Sequence, residues 1–412
     1  MKRLLLTIYC LLAACAAFAQ VQLNPSLSNR ESTYAELYDF DEQVLAFMGD
    51  NALQGVSLSV VRGDSLLFSR GYGWADREAG KVMEPGTLMR VASVSKLVTA
   101  VGIMKLVENG SLSLSDKVFG PDGILSDTLY TKSIRDSLYF QITVENLLRH
   151  EGGFDDSSGD PMFLNEVLLR KYSLPSNPDA KMRVRGVIRD PLRFYPGSSQ
   201  DYSNFGYLLL SMIIEEVTGE NYEQWMQKNV LRPAGCYDFR IAENYYNRKF
   251  PTEAHYYQAS WTVSRKEKTP SVKRVEPIPY TSDIKCLSGG GAWVASSAEV
   301  ARFVSAINGL PGVKDILSRS SIERMTEYYD EHTFPLGWIA VTSSGEWIRT
   351  GSLTGTSALI KRYPDGECWV LITNTSTPAR SRFTRLSRAL CDSLRNEFGY
   401  ILPEKNLFEQ PR

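Results

Sequence analysis

The apolar positions of this chain change their spacing twice. Near the N-terminus Leu37, Val44, Leu45, Phe47 and Met48 recur at helical intervals and predict a helix over Tyr34 to Met48. Gly55 to Val61 then alternates at period two, Arg62-Gly63-Asp64 reads as a turn, and Ser65 to Ser69 returns as the partner strand. From Ser93 to about Tyr280 the pattern is helical and loop-rich. The unbroken run Leu97 to Val107 ends at Asn109-Gly110, which predicts a buried helix closed by a left-handed glycine. Leu208 to Val217 is a second such helix, closed by Thr218-Gly219, and a third spans Ser297 to Asn308 after Gly289-Gly290-Gly291. Strand spacing resumes in Gly337 to Val341, Trp347 to Leu353, Ser357 to Tyr363 and Cys368 to Asn374, with Pro364-Asp365-Gly366 as a hairpin turn. A last helix covers Arg380 to Phe398, with Phe383, Leu386, Leu390 and Leu394 on one face. Residues 155–195 and 240–283 are polar and irregular, and are expected to be loops or lids around a site.

Strands at both ends with helices between them predict an α+β fold, one antiparallel sheet interrupted by a helical insertion. The division expected is 20–92 plus 285–412 for the sheet and its helices, and 93–284 for a mainly helical subdomain. The first residues read as an export signal over 1–19. Met1-Lys2-Arg3 is its basic start, Leu4 to Ala16 its apolar stretch, and Ala17-Phe18-Ala19 its cleavage site before Gln20. A rival reading takes Leu12-Ala13-Ala14-Cys15 as a lipoprotein box with a lipid anchor on Cys15. The first predicts a periplasmic or secreted protein, the second one tethered to the bacterial envelope. The charge is nearly balanced, 46 basic against 47 acidic residues, so nucleic acid is not an expected partner. Beyond the leader Cys236, Cys286, Cys368 and Cys391 lack zinc-site spacing and are too sparse for a disulfide scaffold. Free buried thiols are expected, with no metal and no organic cofactor.

Three short patterns carry candidate chemistry. Ser93-Val94-Ser95-Lys96 places a hydroxyl and an amine one helical turn apart, on one face. Serine needs a neighbouring base to become a nucleophile, and lysine can serve if burial or cations lower its pKa. Tyr202-Ser203-Asn204 offers a phenol able to relay a proton and an amide able to hold lysine and substrate together. Arg349-Thr350-Gly351-Ser352 lies on a predicted strand, where glycine lets a substrate backbone approach and the next N–H can face an oxyanion. Spacing alone is weak: Ser-x-x-Lys is expected roughly once or twice by chance at ordinary composition. Ser282-Asp283-Ile284-Lys285 and Tyr245-Tyr246-Asn247 are second copies of the first two patterns.

The order and flanks of the three resemble the serine β-lactamase-related family, which includes penicillin-binding DD-peptidases, class C β-lactamases and related esterases. Gly71 to Asp76, Ile142 to His150, Tyr202 to Tyr207, Gly289 to Gly291 and Thr350 to Ser357 look like segments of that family. The resemblance implies a β-lactamase/transpeptidase-like fold and hydrolysis of an amide or ester through an acyl-enzyme. It makes Ser93 the nucleophile, Lys96 its partner base, Tyr202 the second acid and base, and Asn204 a substrate-orienting group. It implies an oxyanion hole from the N–H groups of Ser93 and Ser352, with Thr350 and Gly351 beside substrate. Which of Lys96 and Tyr202 takes the first proton stays open. Two departures stand out. Arg349 replaces the usual lysine or histidine; it cannot pass a proton, but its fork suits a carboxylate, so a small or peptide substrate with a free carboxylate is expected. Glu151-Gly152-Gly153 replaces a more usual Thr-Ser-Gly, a change expected to alter a turn more than the chemistry. His150 is expected in a structural hydrogen bond. The other class left open is a catalytically silent, penicillin-binding-like ligand sensor.

Overall fold

Seven strands drawn from the two ends of the chain form one antiparallel sheet. The structure is a computed structural model that describes residues 27–409 except 158, 164–165, 264–267, 276–283, 331–332, 378 and 380. The leader expected over 1–19, the lipid anchor expected on Cys15, and Ser282 of the second serine-lysine copy lie outside the described residues. The N-terminal strands are β1 (Gly55–Arg62), β2 (Ser65–Asp76) and β3 (Lys81–Val82); the C-terminal ones are β4 (Ala340–Val341), β5 (Trp347–Leu353), β6 (Thr356–Arg362) and β7 (Cys368–Thr373). Their spatial order is β3-β2-β1-β7-β6-β5-β4, so β1 and β7 join the two ends at the centre. Val60 pairs with Trp369 there, and Gly351 of β5 pairs with Ala358 of β6.

Both faces of the sheet are covered. On one face α1 (Tyr38–Asp50) and the C-terminal helix Ser381–Phe398 pack Phe40, Val44, Phe383 and Leu394 against Val56, Leu58, Val60 and Leu371. The other face meets the main core, which also contains the helices of the insertion. Alternation in β1 therefore does not separate core from water. Ser57 and Ser59 are buried and share the Ser297 hydroxyl at 2.6 and 2.7 Å, so the polar face is satisfied inside the protein.

The helix after Ser93 is α2 (Ser95–Glu108); it is buried on nearly every side, as its continuous apolar run predicts. Its end is closed by Gly110 at φ 74°. It packs against α3 (Asn204–Thr218), capped by the Ser203 side chain, and against the Ser288–Gly291 turn. Among the described residues no helix is long and apolar enough to cross a membrane. Among the described residues Cys236, Cys286, Cys368 and Cys391 form no disulfide, and all four are buried, as expected.

The two segments expected to be loops contain more structure. Residues 155–195 hold helices Glu166–Lys171 and Ala180–Val187, the second capped by Asp179 accepting the Met182 N–H at 2.7 Å. Residues 240–283 hold a hairpin, Tyr257–Val263 with Lys268–Arg274, extended in parallel by Thr375–Ser376. The strand expected over Gly337 to Val341 is confined to Ala340–Val341.

Candidate active site

Ser93 sits in the single turn Ala92–Val94 that leads into α2, one step before the regular helix. Ala92 has φ 49°, a left-handed conformation that costs an L-residue about 1–2 kcal/mol. Neighbouring strands hold it there. Val91 N–H donates to Trp293 O at 3.0 Å, and Arg349 Nε donates to Ser93 O at 2.8 Å. Gly351 explains how β5 comes so near: a Cβ there would collide with Val91 O and sit 2.9 Å from the Ser93 amide nitrogen. The strained turn thus presents the serine at the sheet edge.

Lys96 is fully buried. Burying an unpaired ammonium costs on the order of several kcal/mol, so its hydrogen bonds matter. Its Nζ donates to Asn204 Oδ1 at 2.5 Å and to Gly290 O at 2.6 Å, and lies 3.4 Å from Ser93 Oγ. It also rests 4.8 Å from the Tyr202 ring centre and 5.4 Å from that of Tyr207. Burial lowers its pKa and the Arg349 cation pushes the same way, while Tyr202 and Asp160 oppose them.

Tyr202 receives a hydrogen bond from Arg349 Nη2 at 3.1 Å. Burial alone would raise the phenol's pKa. The cations Lys96 and Arg349, with hydrogen bonds from Ser93 and Lys96, outweigh it and bring the value down to about 8. The ring is held from behind by His150, stacked at 4.3 Å and 29°. His150 Nδ1 accepts the Ser203 N–H at 3.0 Å, the structural bond expected of it, and burial with the two cations keeps the imidazole well below its ordinary pKa. The Glu151-Gly152-Gly153 departure is a turn that anchors the approach to Tyr202. Glu151 O accepts the Gly197 N–H at 3.0 Å and Gly153 O the Arg193 N–H at 2.8 Å.

Five predicted residues therefore meet: Ser93, Lys96, Tyr202, Asn204 and Arg349. Thr350, Gly351 and Ser352 line the same cavity of about 230 Å³ with Ser93 and Tyr202. Arg349 differs from expectation in its exposure. It is 0% exposed, its Nε and Nη2 donate to Ser93 O and Tyr202, and its Nη1 is buried with no hydrogen-bond partner among the described residues, so its fork does not open to solvent as a carboxylate grip. Strand parity explains this, since Arg349 shares a face with Gly351, the face against the Ser93 turn. Two contributors escape sequence reasoning. Gly290 supplies a carbonyl to Lys96 although its segment is recognisable, and Asp160 accepts the Asn204 Nδ2–H at 2.5 Å from within a stretch taken for loop. No local signal marks Asp160, because its partner lies 44 residues away.

The sequence pattern of the family described as Beta-lactamase matches residues 40–391. Penicillin-binding protein 4* of Bacillus subtilis is 25% identical over 323 residues, covering 76% of this chain and 65% of that protein. Esterase EstB of Burkholderia gladioli is 29% identical over 199 residues, covering 46% of this chain and 47% of the esterase. The chain thus spans less than two thirds of the length of either relative. Among solved structures, the D-amino acid amidase from Ochrobactrum anthropi complexed with L-phenylalanine superposes with a TM-score of 0.64 at 20% identity, over 86% of this chain and 99% of the amidase. The penicillin-binding protein from Bacillus halodurans gives 0.63 at 19%, over 84% and 99%. The fold is that of the β-lactamase/transpeptidase type, as expected. Matched over most of its length, the chain belongs to the β-lactamase family of serine hydrolases.

Proposed function

We propose that this protein is an exported serine hydrolase that cleaves an amide or ester bond through an acyl-enzyme on Ser93. The observation that carries the reading is the convergence of Ser93 Oγ, the buried Lys96 ammonium 3.4 Å from it and the Tyr202 hydroxyl bonded by Arg349 at 3.1 Å, where the two cations bring the phenol's pKa down to about 8. In its ionised form Tyr202 takes the Ser93 proton, and Lys96 stays an ammonium that stabilises the phenolate. The freed oxygen bonds to the substrate carbonyl carbon, and the carbonyl becomes an oxyanion facing the N–H groups of Ser93 and Ser352. Collapse of this intermediate breaks the bond to the leaving group, which receives the proton from Tyr202. Water then attacks the acyl carbon with Tyr202 again accepting a proton; collapse breaks the bond to Ser93 Oγ, which takes that proton back from Tyr202, and the acid departs. Lys96 and Asn204 hold the reacting groups in place, and Arg349 acts on the phenol from inside the protein.

The cavity beside Ser93 shares Ser352, Ser357 and Phe383 with a groove of about 610 Å³ that also carries Gln258, Ser260 and Thr377. Such hydroxyl- and amide-lined walls suit an extended, peptide-like substrate. A substrate carboxylate would meet the hydroxyls of Thr350, Ser352 and Ser357 rather than the Arg349 fork. The leader over 1–19 supports action in the periplasm or outside the cell. Intact mass after a fluorophosphonate or fluorescent penicillin probe tests the reading. An adduct on wild type that turns over, and none on Ser93→Ala, is expected. A permanent adduct would favour a ligand sensor, and no adduct on wild type would contradict the acyl-enzyme.

A further inference from the structure

Asn204 lies between two groups that each accept only one end of an amide. Lys96 Nζ can only donate, and it meets Oδ1 at 2.5 Å; an ionised carboxylate can only accept, and Asp160 Oδ2 meets Nδ2 at 2.5 Å. One amide orientation satisfies both. Turning it by half a revolution would set NH₂ against the ammonium and oxygen against the carboxylate. The carboxylate is itself fixed: its Oδ1 accepts the Met162 N–H at 2.8 Å. Met162 is tied down in turn, because buried Arg183 donates to Met162 O at 3.2 Å and to Pro178 O at 3.3 Å. A chain of contacts thus runs from the core of the insertion to the lysine.

Resting on the reading above, we propose that Asp160 is a positioning residue for this reaction: its carboxylate sets the Asn204 amide so that Lys96 keeps an acceptor and remains an ammonium during the attack by Ser93. Charge supports this. Around the lysine, β5 contributes the Arg349 cation, α3 and its approach contribute Tyr202 and Tyr207, and the turn after Leu148 contributes neutral His150. Asp160 is the carboxylate that touches Asn204, and it favours the charged lysine. Asp155, Asp156 and Asp201 line the same small recess, with Arg193 paired to Asp201 at 2.5 Å and to Asp156 at 3.6 Å.

Three variants of the full chain test the proposal. Asp160→Asn removes the charge, Asp160→Ser removes it while keeping an oxygen for the Met162 turn, and Asp160→Glu keeps the charge. Hydrolysis of a p-nitrophenyl ester is followed against pH, and the Lys96 titration is read by lysine ε-carbon NMR with Lys96→Met as the assignment reference. Asparagine and serine should lower kcat at least about tenfold with KM within about threefold, because orientation rather than binding is lost. Both should move the Lys96 midpoint, and with it the alkaline limb of kcat, to lower pH; glutamate should restore much of that position. An unmoved Lys96 midpoint in both neutral variants overturns the proposal, as does a kcat loss with unshifted limbs that glutamate does not rescue. Absence of a Ser93 adduct on wild type fails the hydrolase reading instead, and the Lys96 midpoint still decides this one.

Discussion

Tyr202-Ser203-Asn204 and Tyr245-Tyr246-Asn247 share a spacing and nothing else. The first enters α3, with Asn204 clamped between Lys96 and Asp160 and the Tyr202 oxygen facing two cations. The second lies by the single turn Tyr246–Arg248, with Asn247 exposed and Arg248 5.8 Å from the Tyr245 ring. Tyr246 also has a guanidinium nearby, Arg274 over its ring at 4.4 Å, yet its hydroxyl donates to Val275 O at 2.5 Å and burial raises its pKa. A cation near a tyrosine is therefore not enough. Arg274 also hydrogen-bonds the Tyr246 oxygen, so what separates the two is the balance: at Tyr202 two cations and their hydrogen bonds outweigh burial, and at Tyr246 burial outweighs the cation.

That contrast can be broken at its strong end first. Ser93→Ala should remove covalent labelling and cut kcat at least about a thousandfold, measured by intact mass and ester turnover. Tyr202→Phe keeps the ring stacked on His150 but deletes the oxygen, and should cost roughly a hundred- to ten-thousandfold in kcat/KM. Arg349→Gln should act through the phenol. With one cation gone the phenolate is less favoured, so the pKa of Tyr202 rises from about 8 and the acid limb of kcat/KM moves to higher pH. A shift of one unit, ~1.4 kcal/mol, would lower neutral-pH activity about tenfold. In wild type the sign is the same: activity rises with pH through about 8 as the phenolate forms, and falls again as Lys96 loses its proton. The weakest effect belongs to the decoy. Tyr245→Phe should leave the pH profile unmoved and change stability by about 0.5 kcal/mol or less, read by thermal unfolding.

Much of this geometry is legible along the chain. The sheet shows at both ends because period-two alternation survives burial on both faces: Ser57 and Ser59 keep the polar rhythm while bonding to Ser297. Ser93 and Lys96 are marked by an apolar run that only a core helix explains. Other features need three dimensions. Tyr257 to Val263 alternates only loosely, and its partner strand contains Pro270, so the hairpin does not declare itself. Helix Ala180–Val187 has a clear N-cap in Asp179 but too few turns to carry a periodic signal. The charge of Arg349 suggests a grip on a carboxylate, and only the approach of Gly351 to the Ser93 turn shows that this face of β5 is turned away from solvent. Asp160 had no local sign at all, since its role exists only after the chain returns at Asn204.

The acidity of one side chain tests the account most directly. Wild type and Tyr202→Phe, each labelled at the tyrosine ζ-carbon, should differ by a single resonance among those of the 21 tyrosines, and its shift against pH gives the Tyr202 midpoint. A midpoint near 8, lost upward in Arg349→Gln, is the predicted result. A midpoint at or above the ordinary tyrosine value of about 10 would contradict it, because no phenolate would then be available to take the Ser93 proton.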